Sequence, residues 1–382
     1  MKTKTPVVLV VDDDEQDAFI AAMCHEGVNA RHVYPGDLTY DDLAEVDLIL
    51  IDEFLERWPE RKAVKDQPAL FVRDGIALAG VLRSHLEMRG ADKAQEPYPD
   101  KTAIVLRTGH LATLAVGTPT FMRPIAVAGR HDVEWVVEKG QSSSSSKLAE
   151  LAKAASSLPT SWDPQAPVAQ LEWLGLSDQP WREDALAQIE LCRPPWSVLA
   201  ETSAGRLWLA WFLQLILPFS TFLVDDLRAA SFLGLKADAL DIVLNGKSEL
   251  TSQLRRCAYG GHLAGFAGRR WWRAGILDLR RWVLESASEQ VKDDVAQIVT
   301  VLHGSELPLL GLQYPVFEID ASYQVVPDPV EISQAVRLQP DGWPPFADDP
   351  WLRTESLEIE PELAKLVVIQ DRMERPDAAI ST

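Results

Sequence analysis

Three carboxylates, a hydroxyl and a lysine stand at the carboxyl ends of four apolar runs within residues 1–140. Asp12 and Asp13 follow VVLVV, Asp52 follows VDLILI, Thr108 follows TAIVLR, and Lys139 follows VEWVVE. Carboxylates brought close together repel one another, and a hard divalent cation that prefers oxygen ligands relieves the repulsion. A nearby lysine neutralises charge on a transferring phosphoryl group, for which a carboxylate is a competent nucleophile. The hydroxyl adds a hydrogen-bond donor for the new phosphoryl oxygens. If they converge, these residues make one small acidic pocket with a lysine and a hydroxyl.

They meet in space only if the four runs are parallel strands of one sheet. A doubly wound sheet gathers its ligands at the carboxyl ends of its strands. The front third alternates short β-branched runs with helical patterns, the signature of βαβ units. Strands are predicted at 6–11, 30–34, 46–51, 103–106 and 133–137. Helices are predicted at 15–26 and around 43–45. A third, opened by Asp74 and Gly75, has Gly90 as its stop.

With these anchors in order, the first 140 residues resemble a response-regulator receiver domain of two-component signalling. The resemblance implies a flavodoxin-like α/β fold with a five-stranded parallel sheet. It implies that Asp12 and Asp13 bind Mg²⁺ together with Asp52 and the backbone carbonyl of Phe54. Asp52 would be the phosphoacceptor, Thr108 the switch hydroxyl and Lys139 the lysine after the last strand. A sensor histidine kinase would be the phosphoryl donor. No enzymatic activity is expected beyond self-phosphorylation and dephosphorylation.

Three departures bear on the readout. Some twenty residues, EFLERWPERKAVKDQPALFVR, separate Asp52 from Asp74, where the family has a short loop. This insertion is read as a lid, a docking arm or an inert surface loop. GTPTFMRPIAVAGRHD stretches the interval from Thr108 to Lys139, and its Arg123-Pro124 competes for the place of the strand-five basic residue. Gly140 follows Lys139 where proline is usual, and Val136 stands where an aromatic is usual. A degenerate, phosphorylation-independent receiver is therefore an alternative.

The serine tract at 141–147 reads as a linker, dividing a domain at 1–140 from one at 148–382. A linker helix is predicted at 147–157, and irregular, Pro- and Trp-rich structure at 158–195. Helices are predicted at 197–217, 219–233, 237–244, 248–259, 269–286 and 288–303. PVFEIDASYQVV suggests a small hairpin, and the tail from Glu374 reads as frayed. The second domain is thus expected to be mainly helical with a small β element, an output domain acting through a protein partner. LWLAWFLQLILPFSTFLV approaches the ~20 residues of a spanning helix, but Pro218 breaks it, and a buried core helix is expected rather than a membrane segment.

A net charge of −20 among 382 residues disfavours non-specific affinity for polyanions. Against this background, seven arginines from Arg255 to Arg281 interleave with Tyr259, Trp271, Trp272 and Trp282. One reading is a nucleic-acid surface of a DNA-binding regulator; the favoured reading is buried tryptophans with arginines paired to neighbouring acids. The segment LVDDLRAASFLGLKADALDIVLNGKSELTSQLRR also admits a weak helix-turn-helix reading. Cys24, Cys192 and Cys257 are expected to be reduced, buried thiols of a cytoplasmic protein. Cys257 and His262 are expected to be structural rather than a nucleophile and base. An effector enzyme is a further alternative, and the oligomeric state is left open, a dimer included.

Overall fold

The computed structural model describes residues 4–57, 72, 74–91, 101–140, 144–159, 162, 167–202, 204–287 and 294–374. Most of the insertion after Asp52, the first three linker residues after Gly140 and the tail from 375 lie outside them.

The N-terminal region is an α/β sheet of five parallel strands: β1 (Val7–Val11), β2 (Asn29–Val33), β3 (Leu48–Asp52), β4 (Ala103–Thr108) and β5 (Trp135–Glu138). The order is β2-β1-β3-β4-β5, so the topology reverses beside β1 and opens a crevice at the strand ends there. The central strands are continuous apolar runs because both faces are covered. β3 is buried throughout, and β1 and β4 nearly so. Register puts Val11 beside Ile51, and Asp52 beside Arg107, which brings the residues after β1, β3 and β4 to one edge.

Helices α1 (Asp17–His25), α2 (Gly75–Ala91), α3 (Leu111–Leu114), α4 (Arg123–Arg130) and α5 (Ser144–Ser156) surround the sheet. The helix expected around 43–45 is a single 3₁₀ turn, Asp41–Leu43. The segment expected merely to interrupt Thr108 and Lys139 holds α4, with Pro124 in its first turn, where a missing amide costs nothing. Arg123 therefore opens a helix and does not compete with Lys139. The serine tract also differs from expectation, since Ser144–Ser146 form the first turn of α5. Leu148, Leu151, Ala152 and Ala155 of this helix are buried against Val8, Val10, Leu48 and Leu50 of the sheet.

The C-terminal region is mostly helical, with small antiparallel sheets. Its helices are α6 (Val168–Trp173), α7 (Arg182–Leu191), α8 (Trp196–Thr202), α9 (Arg206–Trp211), α10 (Asp226–Phe232), α11 (Ala237–Asn245), α12 (Glu249–Cys257), α13 (Arg273–Glu285), α14 (Val295–His303), α15 (Pro361–Ala364) and α16 (Ile369–Glu374). The two-residue strands β6 (Leu223–Val224) and β7 (Trp271–Trp272) pair, as do β8 (Pro315–Val316) and β9 (Val330–Glu331). β10 (Ala335–Arg337) pairs with β11 (Trp351–Arg353). The stretch expected to be irregular carries α6 and α7, which bring Trp173 and Trp181 into the core.

α9 runs into one π turn, Phe212–Ile216, ahead of Pro218. Among the described residues no helix is long and apolar enough to cross a membrane. The apolar run is instead core: Trp208, Phe212 and Leu213 are fully buried. A single apolar cluster continues from the α5 face of the sheet through Trp173 and Trp208 to Phe222 and Trp272. A cluster of charge joins the two regions at the rim. Glu134 is 1% exposed, accepts from Arg83 Nη2 at 2.7 Å, and lies 3.8 Å from Arg206 Nη1 of α9.

Candidate functional site

β1 ends in Asp12 and Asp13, β3 in Asp52, and β4 in Thr108, while Lys139 follows β5. All five lie at one edge of the sheet. Ligand oxygens of Asp12, Asp13 and Asp52 lie within 4.8 Å of one another, and all three residues are buried. Among the described residues this is the one cluster with metal-ligand spacing. The Lys139 ammonium is 2.5 Å from Asp52 Oδ1, and the Lys139 amide donates to the Thr108 carbonyl at 2.8 Å. The strand-end residues singled out in sequence are thus brought together.

Local backbone explains how Asp52 is held. Asp74 caps α2, its Oδ1 accepting from the Ala77 amide at 2.9 Å, an arrangement worth about 1 kcal/mol. The Gly75 amide then donates to the Glu53 carbonyl at 2.8 Å. A methyl group on Gly75 would lie 1.8 Å from the Asp52 carbonyl oxygen, so the Asp-Gly pair is a requirement of close backbone approach. Asp13 Oδ2 accepts from the amides of Glu56 and Arg57 at 2.8 and 2.6 Å, tying the start of the insertion to the pocket. Phe54 is half-exposed, its ring edge-on to His110 at 5.2 Å.

Burial pushes the Asp52 carboxyl above the ordinary range; Lys139 opposes this, and Asp12 adds to it. Asp12 Oδ2 and Asp52 Oδ1 are buried with no hydrogen-bond partner. Asp52 Oδ1 faces the Lys139 ammonium and Asp12 Oδ2 the Arg107 guanidinium as ion pairs. Three converging buried carboxylates, two of whose oxygens face only the cations Arg107 and Lys139, match the donor set of a small hard cation. The residues present fit Mg²⁺.

Two participants were not anticipated. Thr108, fully buried, donates its hydroxyl to the Glu53 carboxylate and accepts from the His110 amide at 2.8 Å. Arg107 lies over the Phe19 ring at 3.9 Å and reaches to 3.6 Å from Asp12 Oδ2. Burial pushes the Arg107 guanidinium down, and Asp12 and Asp52 counter this. The signals were available, a carboxylate directly after Asp52 and a cation directly before Thr108, but neither type is unusual at a strand end.

Other candidates resolve into packing. Trp271 and Trp272 are buried. Arg269 pairs with Asp226 and Asp241 at 2.8 Å, and Arg273 with Asp348 at 2.7 Å. The Cys257 thiol, pushed up to about 12 by burial, donates to the Gln253 carbonyl, while the His262 ring lies on Trp173. Gly261 approaches the Leu174 carbonyl so closely that a methyl group would sit 2.2 Å from it. Cys24 is exposed rather than buried, its thiol at the edge of α1 toward the Ala30 carbonyl of β2 at 3.9 Å.

No protein-family model matches the chain, and no curated protein sequence matches it. Among solved structures the chain is similar to one described as the crystal structure of response regulator ChrA in a heme-sensing two-component system. The identity is 15% and the TM-score 0.22, over 53% of this chain and 82% of that one. A likeness at that score carries no weight, and the reading of the site rests on its own geometry.

Proposed function

We propose that the chain is a response-regulator-like signalling protein that accepts a phosphoryl group on Asp52. The observation that carries this reading is the convergence of Asp12, Asp13 and Asp52 within 4.8 Å beside the Lys139 ammonium. The donor would be the phosphohistidine of a sensor histidine kinase. A carboxylate oxygen of Asp52 forms the new P–O bond while the P–N bond to the donor imidazole breaks. The imidazole nitrogen keeps the electron pair and takes a proton from water. Lys139 pairs with the phosphoryl oxygens, and Thr108 donates to one of them after releasing Glu53. Asp12, Asp13, Asp52 and the Phe54 carbonyl would hold Mg²⁺, which supplies neutralisation of the phosphoryl charge when bound. The response passes through the shared core to the helical region, whose output is contact with a protein partner.

A second reading is favoured by one observation: the pocket is already internally paired, Arg107 facing Asp12, Lys139 facing Asp52, and Thr108 bonded to Glu53. In that reading the protein is a phosphorylation-independent interaction module. Incubation with acetyl phosphate and Mg²⁺ followed by intact-mass measurement separates the two. A single phosphoryl adduct on the wild type, absent in Asp52→Ala, is expected. No adduct on the wild type leaves the second reading.

A further inference from the structure

Between the last strand of the sheet and the helical region lies a cavity of about 490 Å³, within the ~300–1,000 Å³ typical of small-molecule sites. One wall is β5 and α4, with Trp135 and Ile125; the other is the π turn and the β7 approach, with Leu213, Phe266 and Arg270. The π turn helps fix this geometry, because the Gln214 amide reaches across to the carbonyls of Val133 and Glu134 at 3.1 and 3.2 Å. Trp135 and Phe266 meet edge to face at 5.7 Å, giving an apolar corner.

The charges on this wall are unbalanced. Arg270 donates from Nε and Nη2 to the Leu217 carbonyl, at 3.3 and 3.0 Å, and from Nη1 to the Arg269 carbonyl at 3.3 Å. A guanidinium has five N–H donors, so two remain. No carboxylate within 4 Å pairs it among the described residues, unlike its neighbours Arg269 and Arg273. Burial pushes its guanidinium down, with Asp225 only partly offsetting. Lys147 adds a second cation, placed over Phe266 at 5.9 Å. Among the described residues, Glu138 is the single acid on the lining. A half-buried cation with spare donors and no acid partner is costly unless an anion completes it.

We propose that this cavity binds a small organic anion, its apolar ring-bearing body against Trp135 and Phe266 and its acid group on Arg270. The site is separate from the acidic edge of the sheet, yet it shares β5: Val136 to Glu138 line it, and Lys139 follows directly. Occupancy is therefore placed to bias the position of Lys139, whether or not Asp52 is phosphorylated.

The test uses the full chain and two fluorescent probes, 1-anilinonaphthalene-8-sulfonate and its neutral counterpart N-phenyl-1-naphthylamine. The sulfonate is expected to bind the wild type saturably at one site, with quenching of tryptophan emission, and the neutral probe at least about tenfold more weakly, the worth of one charged hydrogen bond. Arg270→Gln is expected to remove that preference, and Lys147→Gln to reduce it. Equal binding of the two probes, or an unchanged preference in a folded Arg270→Gln, overturns the proposal. If Arg270→Gln fails to fold, the probe comparison and Lys147→Gln decide.

Discussion

The Thr108 hydroxyl is committed in both directions, donating to Glu53 and accepting from the His110 amide. Glu53 is 7% exposed, so removing its donor leaves a buried carboxylate short of a partner. Thr108→Val is expected to lower stability by about 1–3 kcal/mol, read from urea denaturation. In a cycle with Glu53→Ala the pair should couple by at least ~0.5 kcal/mol; strict additivity would show the contact to be idle. The acids and Lys139 were legible in sequence because each closes an apolar run whose end is set by the sheet. Glu53 and Arg107 were not. Alternation along β4 sends Arg107 to the face opposite Thr108, and only its length, laid over Phe19, returns it to Asp12. No pattern of residue types encodes that reach.

At the level of elements, the strands and the helix opened by Asp74-Gly75 were readable because burial on both faces leaves unbroken β-branched runs, and because a cap and a glycine mark the helix start. Two features were hidden. α4 begins at Arg123-Pro124, a pair that also reads as a break, and its apolar face becomes evident only once Ile125, Val127 and Ala128 are seen buried. The first turn of α5 is serine, and its helicity follows from the packing of Leu148 and Leu151 on the sheet rather than from propensity. Placement of these elements relies on Glu134, whose carboxylate serves Arg83, the Ile104 amide and, more distantly, Arg206. Glu134→Ala is expected to destabilise by about 1–3 kcal/mol, since it removes the closest carboxylate partner of Arg83 and the acceptor of the Ile104 amide, while Asp132 still lies 3.7 Å from Arg83 and Arg206 keeps Glu87 and Asp132. A loss below about 1 kcal/mol in the urea midpoint, the ceiling for an exposed pair, would show that solvent reaches the cluster.

Across the whole molecule, the division into 1–140 and 148–382 follows composition, whereas the apolar core does not stop at the serine tract. α5 covers the sheet face and also belongs to the cluster that holds Trp173, Trp208 and Trp272. Calorimetry of the full chain is expected to show one cooperative transition; two well-separated endotherms would mean that the regions melt as independent bodies. The merger was not legible because the tryptophans of the second half carry no mark of what they pack against. It also sets a limit on exchange by recombination. In a chimera, the α/β half would take α5 with it and present leucines and alanines fitted to these particular indole rings. A foreign output half would meet that face with the wrong shape, so the two halves are expected to be inherited, and to diverge, as one unit.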